Sequence, residues 1–240
     1  MKKIAVLYIV STLLFSIPTW SQKKITLSAF AGSGVSCFRG SGTVSNSVYH
    51  RNGLAFPHAI DTMAIPYGKK GYTNWLAGLQ GDITWNSKWM LLLTVQFENS
   101  GGKLTGDSVI SPSATYKTTG TFKRYYNYIS FNPQIGRIIF QKAVTLTVHT
   151  GIDYTSKLEL GENFDFKDQN GLKNSIGGSG GEPEVNDMRI SFGASVKRKN
   201  WSIDLNYKHG LVNYNNKGAG NVYSRILHFS IHYAFLNTKI

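Results

Sequence analysis

Cysteine, acidic residues and long apolar runs are all scarce in this chain. Its single cysteine, Cys37, cannot form an internal disulfide, so no covalent staple supports the fold. It also lies well beyond any leader cleavage region, which excludes a lipoprotein-type lipid acceptor. Thirteen Asp and Glu stand against 26 Lys and Arg, a formal net charge of +13. The basic residues are scattered along a chain that reads as exported, so nucleic acid is not the expected partner. The charge suits solubility, or affinity for anionic lipid head groups. Past the first twenty residues the longest apolar run is Trp89-Met90-Leu91-Leu92-Leu93. A membrane-spanning helix needs about 20 such residues, so none is expected.

What is present begins with a leader. Met1-Lys2-Lys3, an apolar core over 4–17 and Thr19-Trp20-Ser21 before Gln22 read as a secretory signal peptide over 1–21, with one domain over 22–240. Removing Lys2 and Lys3 would leave a net charge of +11.

The mature region alternates apolar and polar residues in eight segments. Strict period two over such lengths predicts strands. The connections between them are long and short in turn. Tight turns are expected at Asn86-Ser87, Phe140-Gln141-Lys142 and Lys197 to Asn200, and open stretches at 39–74, 99–122, 157–187 and 211–222. A chain that always turns tightly on one side and loosely on the other crosses the same slab eight times. The expected fold is all-β: an eight-stranded antiparallel up-and-down transmembrane β-barrel with four long extracellular loops and three short periplasmic turns. An even strand number places both termini in the periplasm and the protein in the outer membrane.

Alternation alone does not orient the faces, and a soluble lipocalin-like barrel would turn the apolar one inward. Volume decides against that. An eight-stranded lumen barely holds its own side chains, whereas the apolar face carries Trp75, Trp85, Trp89, Phe97, Trp201, Tyr207, Phe229, Tyr233 and Phe235. The opposite face, with Gly78, Gly151 and Gly193, suits a tight interior. Trp75 and Trp85 would lie roughly 33 Å apart along a strand at about 3.3 Å per residue. A tilt of about 40° reduces this to roughly 25 Å, the height of an outer-membrane apolar band. Trp75, Trp85, Trp89, Trp201, Tyr223, Tyr233 and Phe235 are therefore the expected membrane-interface aromatics.

The polar face gathers Asp82, Glu98, Arg124, His149, Asp153, Arg189, Asp204, Lys208, His228 and His232. Inside a narrow barrel such charges must pair. The alternatives are a hydrophilic pore or a proton relay. His228 and Ser230 share a face, but no acid follows to orient the base and the pair points away from lipid, so no catalytic residue is assigned. Asp165 to Gly171 hints at calcium, yet Phe166 breaks the required spacing. No metal or cofactor is expected. The Gly-rich 176–181 stretch reads as linker.

Loop one, Leu54 to Tyr67, is more apolar than a solvated loop. Either it caps the barrel mouth, or Phe56, Ile60, Met63, Ile65 and Tyr67 form a surface for a protein partner. The lysines of both rims would face the phosphates of lipid and lipopolysaccharide.

Tyr128-Ile-Ser-Phe-Asn-Pro133-Gln-Ile-Gly136 and Ser224-Arg-Ile-Leu-His-Phe-Ser-Ile-His-Tyr-Ala-Phe235, together with the leader, resemble the PorT-like family of small outer-membrane barrels. The resemblance implies insertion by the barrel-assembly machinery, no catalytic residues, and a place in protein secretion for at least one member, most having no assigned activity. The tail 236–240 departs from the pattern, because an aromatic residue such as Phe235 more usually ends the chain.

Overall fold

The computed structural model describes residues 24–50, 62–63, 66–85, 88–111, 114–167, 171–179, 186–215 and 220–239. The leader, the Asn86-Ser87 turn and most of loop one lie outside them. Among the described residues eight strands close a ring. They are β1 (Lys24–Arg39), β4 (Tyr72–Trp85), β5 (Trp89–Ser111), β6 (Ala114–Gln141), β7 (Thr145–Lys167), β9 (Asp187–Arg198), β10 (Trp201–Gly210) and β11 (Tyr223–Lys239). Each pairs antiparallel with its neighbours, and β11 returns to β1. Following paired residues from Ile25 through Ile83, Leu91, Ile135, Thr150, Phe192, Tyr207 and Leu227 leads back to Val35, ten residues along β1. A stagger of that size tilts the strands by about 40°.

The ring is apolar outside and polar inside. Leu79, Val95, Ile129, Ile152, Phe192 and Ile231 are each about half exposed on the outer wall, whereas Glu98, Asp153 and Arg189 have no exposed surface. Water around such a wall would leave its apolar belt unburied, and hydrocarbon around it requires the ring closure seen here. The chain is a membrane-spanning β-barrel. The short turns and both described chain ends share one end of it, where Lys24 pairs with Thr84 and Lys239. At that end a two-residue connection between β9 and β10 holds Lys199 at a φ of 54°. Tight hairpins of this length favour positive φ.

The opposite end differs from the expected open loops. The described residues of the 99–122 stretch are strand, because β5 and β6 stay paired as far as Ser111 and Ala114. In 157–187, β7 continues to Lys167 and β8 (Lys173–Ser179) folds back on it, so part of the expected linker is strand. In loop one, β2 (Asn46–His50) runs parallel to β5 and pairs with β3 (Thr62–Met63). Beyond the membrane belt the sheet thus reads β3-β2-β5-β6-β7-β8. Its inner face has its own small core: Leu104, Phe122 and Phe164, with Val44 and Phe166 against them. Period-two burial of these residues keeps the ladder going past the lipid. The described residues of the 211–222 connection, 211–215 and 220–222, are irregular apart from their hydrogen bonds.

The depth of the apolar belt is testable. Leu79→Arg, at mid-wall, should cost about 2–4 kcal/mol in urea unfolding from lipid vesicles, and Trp201→Arg, at the rim, no more than about 1 kcal/mol. Equal costs would contradict this placement of the belt.

Candidate functional site

Nine of the ten polar-face residues are buried, and Asp204 is mostly so. They do not form one network. At the short-turn end His149 Nε2 meets Asp204 Oδ2 at 2.7 Å, and Gln80 donates to Asp82 at 2.7 Å. A cavity of about 80 Å³ lies there, lined by Asp82, Lys197, Asp204 and His232 among others. Ser230 bonds His232 at 2.9 Å, rather than His228, and Phe30 stacks on the His232 ring at 4.6 Å. His228 sits 3.1 Å from Asn74 Nδ2. The mid-lumen space is about 30 Å³, room for a few water molecules.

Above it lies the dominant cluster. Arg189 bonds Glu98, lies 2.6 Å from Asp187 and 3.3 Å from Asp153, while Lys208 reaches Glu98 and Asp153 at 2.9 Å each. Gln96 donates to Glu98 at 2.6 Å. Five charged groups from β5, β7, β9 and β10 thus interlock across the lumen. Asp187 is also held by Ser224 Oγ and Tyr214 Oη, both at 2.7 Å.

An aromatic lid covers this cluster: Phe38, Tyr67, Tyr126, Tyr128, Leu160, Tyr214 and Val222. Tyr128 and Tyr214 share a hydrogen bond of 2.9 Å, and Tyr67 donates to the Tyr214 carbonyl at 2.9 Å. Burial, with the negative Asp187 beside it, pushes the Tyr214 phenol well above its usual value, so it stays protonated and donates. Arg124 belongs to the lid, not to the lumen network expected of it. Its guanidinium lies over the Tyr67 and Tyr126 rings and 3.3 Å from Glu162. A bulky cation packed between rings is attracted to their faces.

Tyr67, read either as part of a cap over the mouth or as part of a partner surface, is buried in this lid and fills the mouth. Met63 lies in β3, and Phe56, Ile60 and Ile65 are outside the described residues. Of the interface aromatics, Trp75, Trp89, Trp201, Tyr233 and Phe235 are exposed on the outer wall, and Trp85 and Tyr223 are half-buried. Asp165, expected among possible calcium ligands, is taken by Lys123 and Ser175 at 2.7 and 2.8 Å, and Asp168 lies outside the described residues.

The site residues missed from sequence are Asp187, Tyr126, Tyr128, Tyr214 and Ser224. Asp187 shares the parity of Arg189, and Tyr126 and Tyr128 that of Arg124, so alternation signalled them. Tyr214 sits in an irregular connection and carried no such signal.

Arg189→Met would leave Glu98 and Asp153 to share Lys208 as their cation, and would leave Asp187 with the Tyr214 and Ser224 hydroxyls in place of its guanidinium. The expected loss is about 3–5 kcal/mol in vesicle unfolding, the size found when a buried pair loses one partner. Adding Glu98→Gln should recover part of it. A double variant no more stable than the single one would show that these charges are not coupled.

No family model matches the chain, and no curated protein matches it. Solved structures that resemble it include Ail, the attachment invasion locus protein of Yersinia pestis, in complex with the heparin analogue sucrose octasulfate. It is 14% identical over 89% of this chain and 99% of that one, with a TM-score of 0.33. Neisserial surface protein A is 10% identical over 88% and 97%, with a TM-score of 0.30. A FadL homologue of Pseudomonas aeruginosa is 9% identical over 90% and 91%, with a TM-score of 0.21. At such identities and scores, the barrel assignment rests on the strand pairing and side-chain distribution described above.

Proposed function

We propose that this chain is an integral outer-membrane protein with its termini in the periplasm, and that it works as a sealed anchor presenting a sheet at the cell surface. It carries out no chemistry on this reading. The observation behind it is a pairing of features. The lumen is blocked by interlocked charges and a lid, while β5, β6 and β7 continue past that lid into a sheet. Among the described residues β3 pairs only with β2 and β8 only with β7, so the sheet has two free edges. Exposed edges are templates for another strand, and proteins otherwise take care to blunt them. A protein partner at the surface fits such edges, and a secretion-associated assembly fits the PorT-like resemblance. Insertion would be by the barrel-assembly machinery.

The second reading is a narrow channel, favoured by the cavity at the short-turn end. Planar-bilayer recordings separate the two: the sealed anchor should pass no current above background, and a reproducible conductance step would overturn it.

Orientation has its own test. In a Cys37→Ala background, Lys173→Cys should react with a membrane-impermeant maleimide in intact cells, and Lys142→Cys only after the outer membrane is permeabilised. The opposite pattern would invert the proposed topology.

A further inference from the structure

On the outer wall of β5, β6 and β7, above the apolar belt, polarity climbs in rows. Trp75 stacks on Phe97 at 5.1 Å at the top of the belt. Next comes an amide row, where Asn99 donates to Asn127 at 2.6 Å and Asn127 to Glu159 at 2.8 Å. Then Tyr72 and Tyr125 stack at 5.9 Å, nearly parallel at 9°. Above them stand three lysines side by side: the Lys70 backbone pairs with Lys103, and Lys103 pairs in register with Lys123. Like charges directly opposite one another on a sheet are destabilising. Among the described residues only Lys123 of the three has a carboxylate partner, Asp165 at 2.7 Å. Lys70 reaches the Thr105 hydroxyl, and Lys103 Nζ lies 5.7 Å from the centre of the Tyr72 ring.

The height of this row identifies what it faces. On β6 the exposed apolar residues run from Ile129 to Phe140, about 28 Å in height at about 3.3 Å per residue and a tilt near 40°, close to the thickness of the lipid belt. Lys123 lies about 15 Å higher at about 3.3 Å per residue and a tilt near 40°. That is the head-group and saccharide layer, above the hydrocarbon. Directly above the lysines opens a groove of about 670 Å³, bordered by Thr105, Thr121, Asp165, Phe166, Lys167 and Lys173. Its size is that of a small-molecule site. Asp165 is the one acid among its described lining residues, and Lys123 and Ser175 hold that carboxyl below its usual value by hydrogen bonds.

We infer that this flank binds the phosphorylated saccharide head group of an outer-leaflet glycolipid, with phosphate on Lys70 and Lys103, acyl chains on Trp75 and Phe97, and sugar reaching into the groove. The inference rests on the long-loop end facing outward. Three chemistries meet in the order such a lipid presents them: apolar wall, cation row, hydroxyl- and aromatic-lined groove. The anion also resolves the repulsion that the cation row carries by itself.

The test uses the full barrel in neutral-detergent micelles, titrated with bis-phosphorylated lipid A and followed by thermal unfolding and native mass spectrometry. Lipid A should bind one-to-one and raise the unfolding temperature, and Lys70→Gln/Lys103→Gln should weaken its binding at least tenfold. Without lipid A the same variant should unfold at an equal or higher temperature than the wild type, a reversal that a merely structural role for these lysines would not produce. Dephosphorylated lipid A and inorganic phosphate should both fail to shift the transition. Phosphate acting as well as lipid A would overturn the lipid assignment, and equal affinity of variant and wild type would overturn the site. Loss of binding in Lys88→Gln/Lys142→Gln instead would move the site to the other rim. If the double variant does not fold, Lys103→Gln alone carries the same comparison. The maleimide experiment tests orientation separately, so a failure there is told apart from a failure here.

Discussion

The constraint on which this structure depends is that hydrocarbon offers a backbone amide no hydrogen-bond partner. Each unpaired group there costs several kcal/mol, so a sheet crossing the membrane must close on itself. Closure at eight strands then sets the interior. The lumen is narrow, its wall alternates with a greasy exterior, and every charge on the inward parity is forced into the company of the others. Arg189 and Lys208 meet Glu98, Asp153 and Asp187 because four strands bring them to one level of a space with no room to stay apart. Interlocked ions of this kind do little for net stability compared with an apolar filling, but they make any single loss costly. The seal is thus a consequence of the closure.

Much of this was legible in the chain because period two converts directly into inside and outside. Glu98, Asp153, Arg189 and Lys208 lie on the polar parity of their segments, and all four are buried in the lumen. Legibility ended where alternation was interrupted by glycine. Gly101 and Gly161 fall in the 99–122 and 157–187 stretches that were expected to be open, yet both lie inside paired strands. They are needed for close approach: a Cβ on Gly101 would lie 2.1 Å from the Arg124 carbonyl, and one on Gly161 would lie 2.2 Å from the Tyr125 ring. A glycine that admits a neighbouring ring and a glycine that makes a turn look identical in a sequence. The parallel pairing of β2 with β5 was equally out of reach, since it joins residues about sixty positions apart with no periodic signature. Tyr67 left two readings open, a cap or a partner surface, for a related reason. An apolar residue in a loop is exposed only if nothing buries it, and here Arg124 and Phe38 do.

The interior and exterior of the barrel solve opposite electrostatic problems. Inside, charge is tolerated because the clustered groups have partners at hydrogen-bond distance. Outside, Lys70 at an isolated bridge, Lys103 on β5 and Lys123 on β6 line up three like charges with one carboxylate among them, Asp165. A soluble sheet would ordinarily alternate signs along such a row. Repulsion of this kind is screened by salt and weak for any one pair, so it is tolerable in isolation. It becomes favourable when the surrounding medium is itself anionic, which is the case for a leaflet of phosphorylated lipid.

These two solutions bear on where function can lie. On the sealed-anchor reading, a solute would have to break the Arg189 and Lys208 contacts above a mid-lumen space of about 30 Å³. Doing so would expose several buried charges at once, at a cost of several kcal/mol per ion. The sheet beyond the belt carries no such penalty. Its edges are unpaired among the described residues and its groove is already open. The barrel supplies rigidity and a fixed depth in the membrane, and the strands that outgrow it supply the surface on which recognition, as proposed above, would take place.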